Sequence, residues 1–281
     1  AVLQRQRHPV TNLFAMNLID ADRAEALYEQ MGPAIETSGG SAGNTAAGIA
    51  SFGSVSAYFG KVADDQLGEI FRHDIRAQGV AFDTKPLDKT PPTARSMIFV
   101  TPDGQRSMNT YLGAGADLGR DDVPTGLFQG GKILFLEGYL FDKAEGKTAF
   151  GEASQRMRAA GGITGITLSD PFCADRHRDD FQRLIRDDMD FVIGNEAEWM
   201  TLYQTETLDS ALDMASAVCE TVVCTRSGDP VLLRRNGERA EVAVNKVVPV
   251  DATGAGDQFA AGFLYGFATG QTLDVCGRMG V

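Results

Sequence analysis

Cysteine, histidine and basic residues are all scarce in this chain, and each scarcity removes a class of function. The 4 cysteines, Cys173, Cys219, Cys224 and Cys276, form no C-x-x-C pair and no disulfide framework, so they read as reduced thiols of a cytoplasmic protein. Cys219 and Cys224 are expected to pack around a strand, and no electropositive setting marks a reactive thiolate. The 3 histidines, His8, His73 and His177, make no metal constellation. Lys and Arg total 26 against 38 Asp and Glu, a net charge of −12. Such a surface repels the phosphates of nucleic acids and anionic membranes, which leaves a small molecule as the expected partner. No apolar run is long enough to span a bilayer, and residues 1–8 lack the layout of a signal peptide. Two phosphate-binding signatures are missing as well. Gly146-Lys147-Thr148 has Phe141 where a P-loop needs its upstream glycine, and no Gly-x-Gly-x-x-Gly follows a first strand. A P-loop NTPase and a Rossmann dehydrogenase are thereby disfavoured. There is no internal repeat, low-complexity tract or long linker.

What is present alternates between strand and helix patterns, the rhythm of an α/β fold with a mostly parallel sheet. The 281 residues, 43% of them hydrophobic, suffice for one substantial core. A helix is expected over 21–31, capped by Asp20, with Ala24, Leu27, Tyr28 and Met31 on one face. A small-residue helix should follow Gly39-Gly40 from Ser41 to Phe52, then a strand over 55–62 and a helix over 65–78. Further strands are expected at 133–137, 163–168, 191–193 and 221–225. Helices should lie near 143–160, 177–187, 196–203 and 207–219. Residues 80–111 break the rhythm. Ala94–Thr101 and Gln105–Tyr111 flank Pro102-Asp103-Gly104 and predict a β-hairpin. We expect it to form a small β-lid joined by Ile35–Ser38. The lid would comprise 33–38 and 79–112, the α/β core 39–78 and 113–281, and residues 1–15 remain unassigned. Water exclusion over a substrate and a plain surface hairpin are both open readings of that hairpin.

The most informative stretch is Asp251-Ala252-Thr253-Gly254-Ala255-Gly256-Asp257, running into an apolar helical segment. The first backbone N–H groups of a helix lack partners and lie at the positive end of its dipole, so the turn is suited to an anion. Asp257 adds a carboxylate that can accept a proton there; its plainer role would be a helix cap. Gly39 and Gly40 allow backbone to approach a ligand, and Asn44 offers a donor and an acceptor one turn into the next helix. Asn195 and Glu198 follow a hydrophobic strand and fall on one side of a first helical turn, either as a ligand site or as a cap with an acidic first turn. Thr225-Arg226-Ser227-Gly228 ends another strand.

Together these motifs resemble the ribokinase-like (PfkB) carbohydrate and nucleoside kinases, over roughly residues 16–281. The resemblance implies a three-layer α/β/α fold with a small β-lid. Met16–Asp20, Ser107–Ala114, Glu137–Tyr139 and Leu168–Cys173 are similar to the bacterial adenosine-kinase-like branch. In that branch the 5′-hydroxyl of a ribose attacks the γ-phosphate of ATP. The resemblance implies Asp257 as general base and Gly254, Ala255 and Gly256 as the anion hole. It implies Gly39, Gly40 and Asn44 as ribose ligands, with Tyr139 and Met108 as pocket wall or simple packing. Asn195 and Glu198 would hold Mg²⁺ and nucleotide phosphates, partly through water, and Thr225 and Ser227 would face the nucleotide. Asp251 and Thr253 sit where relatives bind a monovalent cation such as K⁺. Asp229-Pro230 departs from the family, which has a further glycine in that turn. Two further departures concern the ends, since relatives carry a sugar-binding aspartate on an earlier strand and an adenine-facing segment after the last helix. The expected activity is ATP-dependent phosphorylation of a riboside by a monomer or homodimer. The alternatives are a non-catalytic binder and a phosphosugar kinase using Arg95 and Arg106.

Overall fold

The computed structural model describes residues 16–100, 106–248 and 250–281. Its centre is a six-stranded sheet in the order β11-β10-β9-β8-β7-β6. Strands β6 (Ile133–Glu137), β7 (Ile163–Thr167), β8 (Phe191–Asn195) and β9 (Thr221–Arg226) run parallel. β10 (Asp229–Arg235) and β11 (Glu238–Val242) add an antiparallel edge that was not expected.

Alternation along these strands sends side chains to two separate cores. Val192, Val222, Cys224 and Ile166 pack with Phe150, Phe181, Trp199 and Leu212 on one face. Phe191, Ile193, Val223 and Leu233 pack with Phe259, Phe263 and Cys276 on the other. Helices therefore cover both faces. The first face carries α4 (Ala144–Ala159), α5 (Pro171–Arg176), α6 (Arg178–Asp188), α7 (Glu196–Tyr203) and α8 (Leu208–Ser216). The second carries α9 (Ala255–Ala268) and α10 (Leu273–Gly280). Cys173, Cys219, Cys224 and Cys276 are all buried thiols outside any disulfide, and Cys219 and Cys224 pack around β9 as expected. Among the described residues no helix is long and apolar enough to cross a membrane.

A separate three-stranded sheet has the order β1-β5-β4. β4 (Arg95–Val100) and β5 (Arg106–Tyr111) form the expected antiparallel pair, with Ser96 and Thr110 hydroxyls bonded across it at 2.9 Å. The turn at 102–104 lies outside the described residues, as does segment 1–15. The third strand corrects the expectation. It is β1 (Met16–Leu18), parallel to β5, and Ile35–Ser38 forms no strand. The start of the expected lid segment also pairs elsewhere. β3 (Val80–Ala81) joins β2 (Ser56–Ala57) in a two-stranded parallel sheet, and Val80 and Phe82 pack with Ala46, Val62 and Ile75. The strand foreseen over 55–62 shrinks to those 2 residues.

Helix starts follow local chemistry. Asp20 accepts from Arg23 N at 2.8 Å to begin α1 (Ala21–Gln30), and Asp65 accepts from Gly68 N at 2.8 Å to begin α3 (Gln66–Ala77). Ala24 and Leu27 of α1 are buried, but Tyr28 is exposed and its hydroxyl bonds Glu36 instead. The small-residue helix α2 (Ser41–Ser51) crosses α9 closely. A Cβ on Gly48 would lie 2.6 Å from the Ala261 Cβ and 2.8 Å from Gln258 Oε1, so only glycine permits that approach.

Candidate active site

The close crossing of α2 and α9 brings the two most informative motifs together. Asn44 Nδ2 donates to Asp257 Oδ2 at 2.8 Å, and Thr45 Oγ1 donates to the Asp257 backbone carbonyl at 3.3 Å. The Ser41 hydroxyl lies near enough to favour the ionised Asp257 carboxylate. Gln258 Nε2 returns a 3.4 Å bond to the Asn44 carbonyl. Burial pushes Asp257 above the ordinary carboxylate range, while the Asn44 bond, the Ser41 hydroxyl and the charge of Arg106 oppose that rise.

The turn before Asp257 has the geometry of an anion cradle. Gly254 takes φ +80° at the N-cap of α9, where it supplies no side-chain cap. A Cβ there would sit 3.8 Å from Asp257 Oδ2 and 4.0 Å from Asn44 Nδ2, and one on Gly256 would meet nothing within 4 Å. The first-turn N–H groups open α9 beside the carboxylate, and Ala255 N donates to the Ala252 carbonyl at 3.2 Å. Asp251 folds back to accept from Thr253 N at 2.8 Å, and these bonds with Thr253 hold it below its usual range. Gly40, at φ +99°, turns the chain into α2, and Gly39 and Gly40 both leave their Cβ positions open.

The small sheet contributes Arg106, whose charge lowers both Asp251 and Asp257. Met108 shares the strand face of Arg106 by alternation. Arg95 is committed elsewhere, 3.0 Å from Glu25 of α1.

A second cluster lies at the carboxyl ends of β6, β7 and β8. Glu137 is half-buried, yet its Oε1 is enclosed without a partner among the described residues. Burial pushes its carboxyl up to about 8, and the charge of Asp257 adds to that effect. Tyr139 donates from its hydroxyl to the Ser169 carbonyl at 3.0 Å. Asn195 and Glu198 form a reciprocal capping box: Glu198 N donates to Asn195 Oδ1 at 2.9 Å, and Asn195 N donates to Glu198 Oε2 at 2.8 Å. Asn195 Nδ2 adds a 2.6 Å bond to Glu198 Oε1. Glu198 is 4% exposed, and burial raises it to about 7, with the charge of Asp170 contributing. The cap and the acidic site are therefore the same two side chains.

Thr225 is the cross-strand partner of Asn195. Ser227, at φ +53°, and Gly228 form the tight turn into β10. Pro230 sits where the β9–β10 register shifts, between Asp229 and Leu232, a bulge that needs no ladder N–H, so a proline is accommodated where the family has a further glycine. Ser41, Thr45, Gly48, Ser169 and Asp170 carried no role in the sequence reading. Their contacts depend on helix crossings and strand ends that no local pattern encodes.

A family model, pfkB family carbohydrate kinase, matches residues 15–281. The structure is similar to the adenosine kinase from Sinorhizobium meliloti, with a TM-score of 0.93 and 54% identity, covering 96% of this chain and 83% of that one. It is similar to a probable sugar kinase protein from Rhizobium etli CFN 42, with a TM-score of 0.93 and 50% identity, covering 96% of this chain and 82% of that one. A fructokinase from Escherichia coli is 26% identical over 258 residues, 89% of this chain and 83% of its own length. The α/β/α architecture is the ribokinase-like fold of these neighbours.

Proposed function

Because this chain belongs to the pfkB family of carbohydrate kinases, we propose that it transfers the γ-phosphoryl group of ATP to a primary hydroxyl of a ribose-containing small molecule, foremost a nucleoside such as adenosine. The observation that carries this reading is the 2.8 Å bond between Asn44 and Asp257 beside an uncapped helix start. The Sinorhizobium relative, an adenosine kinase at 54% identity, supports the nucleoside over other acceptors.

In this reading Asn44, with the Gly39-Gly40 turn, binds the ribose hydroxyls and orients the acceptor. Asp257 takes the proton from the attacking hydroxyl as its oxygen bonds the γ-phosphorus and the bond to the ADP oxygen breaks. The N–H groups of Gly254, Ala255 and Gly256 receive the charge of the transferring phosphoryl group. The raised affinity of Asp257 for a proton favours this role, since a better base sits nearer the acceptor in proton affinity. Asn44 holds the Asp257 carboxylate in one orientation throughout.

The residues at β8 fit a hard cation. Glu198 is an enclosed carboxylate facing the charge of Asp170, and Asn195 adds an amide oxygen. Mg²⁺ held there would keep several waters as ligands. When bound, Mg²⁺ neutralises phosphate charge. Thr225 and Ser227 are assigned to the nucleotide, and Asp251 and Thr253 to a monovalent cation such as K⁺. Met108 and Tyr139 form the wall of the acceptor pocket. The small sheet serves as a lid, with Arg106 reaching the reacting phosphate. We place the enzyme in the cytoplasm as a monomer or homodimer.

The test is ADP release with a panel of ribosides and free sugars, with ATP and Mg²⁺. Adenosine or a related riboside should turn over, and Asp257→Asn should abolish it. Turnover of fructose without any riboside would reassign the acceptor class. Binding without any turnover would make the protein a non-catalytic relative. Phosphosugars are disfavoured because Arg95, one of the two cations they would need, is paired with Glu25.

A further inference from the structure

Ser169 holds a backbone conformation that its side chain disfavours. Its φ is +69°, in the left-handed region where a Cβ crowds the chain. It lies in the short connection between β7 and α5, where a glycine would relieve the conformation. Such residues persist only when their surroundings fix them, and they gather at functional sites.

The surroundings here are the carboxyl end of β6. Ser169 Oγ accepts from Gly138 N at 2.9 Å. The same hydroxyl donates to the Thr167 carbonyl at 3.4 Å. The Ser169 carbonyl accepts from the Tyr139 hydroxyl at 3.0 Å, and its N–H donates to Thr167 Oγ1 at 3.3 Å. One residue therefore bonds both Gly138 and Tyr139, the two residues that follow Glu137. Gly138 makes this approach feasible, because a Cβ there would lie 2.7 Å from the Thr167 carbonyl oxygen and 2.9 Å from the Phe181 ring. The latched strand end looks onto the reaction centre, since Glu137 feels the charge of Asp257 while Tyr139 feels Asp170, Glu137 and Glu198.

We propose that Ser169 is a positioning residue for the acceptor pocket, holding Tyr139 and the Gly138 backbone, and with them the strand end that carries Glu137, in the orientation in which they meet the acceptor beside Asp257. This rests on the acceptor reading given above. The strained backbone is what lets one residue present its hydroxyl and its carbonyl to the neighbouring strand end together. In a relaxed extended conformation the two groups would diverge along the chain.

The test compares Ser169→Ala and Ser169→Gly in the full chain with the unsubstituted protein. Calorimetry reads adenosine affinity, steady-state kinetics read the KM values for adenosine and ATP, and thermal melting reads the fold. Both variants should weaken adenosine binding by about tenfold or more, the scale of leaving the Gly138 N–H without its partner. The KM for ATP should stay unchanged. A merely structural role would lower the melting temperature and the active fraction, hence the apparent kcat, without moving adenosine affinity. Unchanged adenosine affinity in both variants overturns the proposal even if melting falls. An unsubstituted protein that binds no riboside overturns the acceptor reading and this inference together. Riboside phosphorylation that proceeds equally in the Ser169 variants overturns only the inference.

Discussion

The amide of Asn44 and the carboxylate of Asp257 meet at 2.8 Å, joining two helix starts that are 213 positions apart in sequence. The bond fixes one carboxylate oxygen and leaves the other for a proton. It also lowers the proton affinity that burial raises, so Asn44 both orients and tunes the base.

Asp257→Asn keeps the size and most hydrogen bonds of the side chain but removes the proton acceptor. Turnover should fall by about 10³-fold or more, within the range for loss of a general base. Adenosine and ATP should still bind by calorimetry, and the melting profile should remain cooperative. Substantial residual turnover would remove Asp257 from the chemistry.

Asn44→Ala takes away a bond that favours the ionised form of Asp257, so the carboxyl should become harder to deprotonate. The acidic limb of the kcat/KM profile should therefore move to higher pH, alongside a raised KM for the riboside. A profile that stays in place would show that the limb reports another group.

Gly48 is where the helix crossing is set. Gly48→Leu should destabilise the fold by about 1–3 kcal/mol through overpacking, because its Cβ would meet Ala261 at 2.6 Å. It should also lower turnover by separating Asn44 from Asp257. Gly43→Ala is the control, since its Cβ would sit 3.7 Å from the Phe71 ring in ordinary contact. Chemical denaturation measures both.

The two arginines of the small sheet should behave differently. Arg106→Gln removes the charge that favours ionised Asp257 and Asp251, so kcat should fall by about tenfold or more. Arg95→Ala breaks only a partly exposed pair with Glu25 and should change stability by about 1 kcal/mol or less. Its kcat should match the unsubstituted protein. Equal losses in both would assign the effect to sheet integrity.

Glu137 and Glu198 hold protons more tightly in the folded chain, at about 8 and about 7 against an ordinary 4.5. The folded state then binds more protons than the unfolded state, so stability is fully present below about 4.5 and declines as pH rises through 7 and 8. Melting temperature should fall across that window, and Glu137→Gln should flatten the decline. Saturating Mg²⁺ with nucleotide should flatten the share due to Glu198, because a cation favours its ionised form. A decline indifferent to both changes would assign it to other groups.

Much of this was legible because the chemistry is local. The Gly254–Asp257 turn announces a helix start with a carboxylate beside it, and the β4–β5 hairpin follows from two β-type runs around Pro102-Asp103-Gly104. Asn195 and Glu198 show how one local pattern can carry two readings, and the structure satisfies the capping one without removing the other. Errors fell where pairing is a long-range choice. Ile35–Ser38 and Met16–Leu18 both lie outside the hairpin, and only the assembled sheet decided that the latter takes the edge beside β5. The β10–β11 edge escaped notice because Pro230 argues against a strand until the register shift makes room for it.

The sequence by itself determined the kind of chemistry: an anion-holding turn, a base within it, a glycine-rich partner turn, and α/β layering. These are short-range facts of residue type and spacing. Tertiary structure alone decided that Asn44 reaches Asp257, that Gly48 permits the crossing, and that Glu137 is enclosed near the base while Ser169 adopts a left-handed turn to hold the Gly138–Tyr139 backbone that follows it. Burial and proximity set proton affinities and orientations, and both arise only when distant segments pack, so no window of sequence contains them.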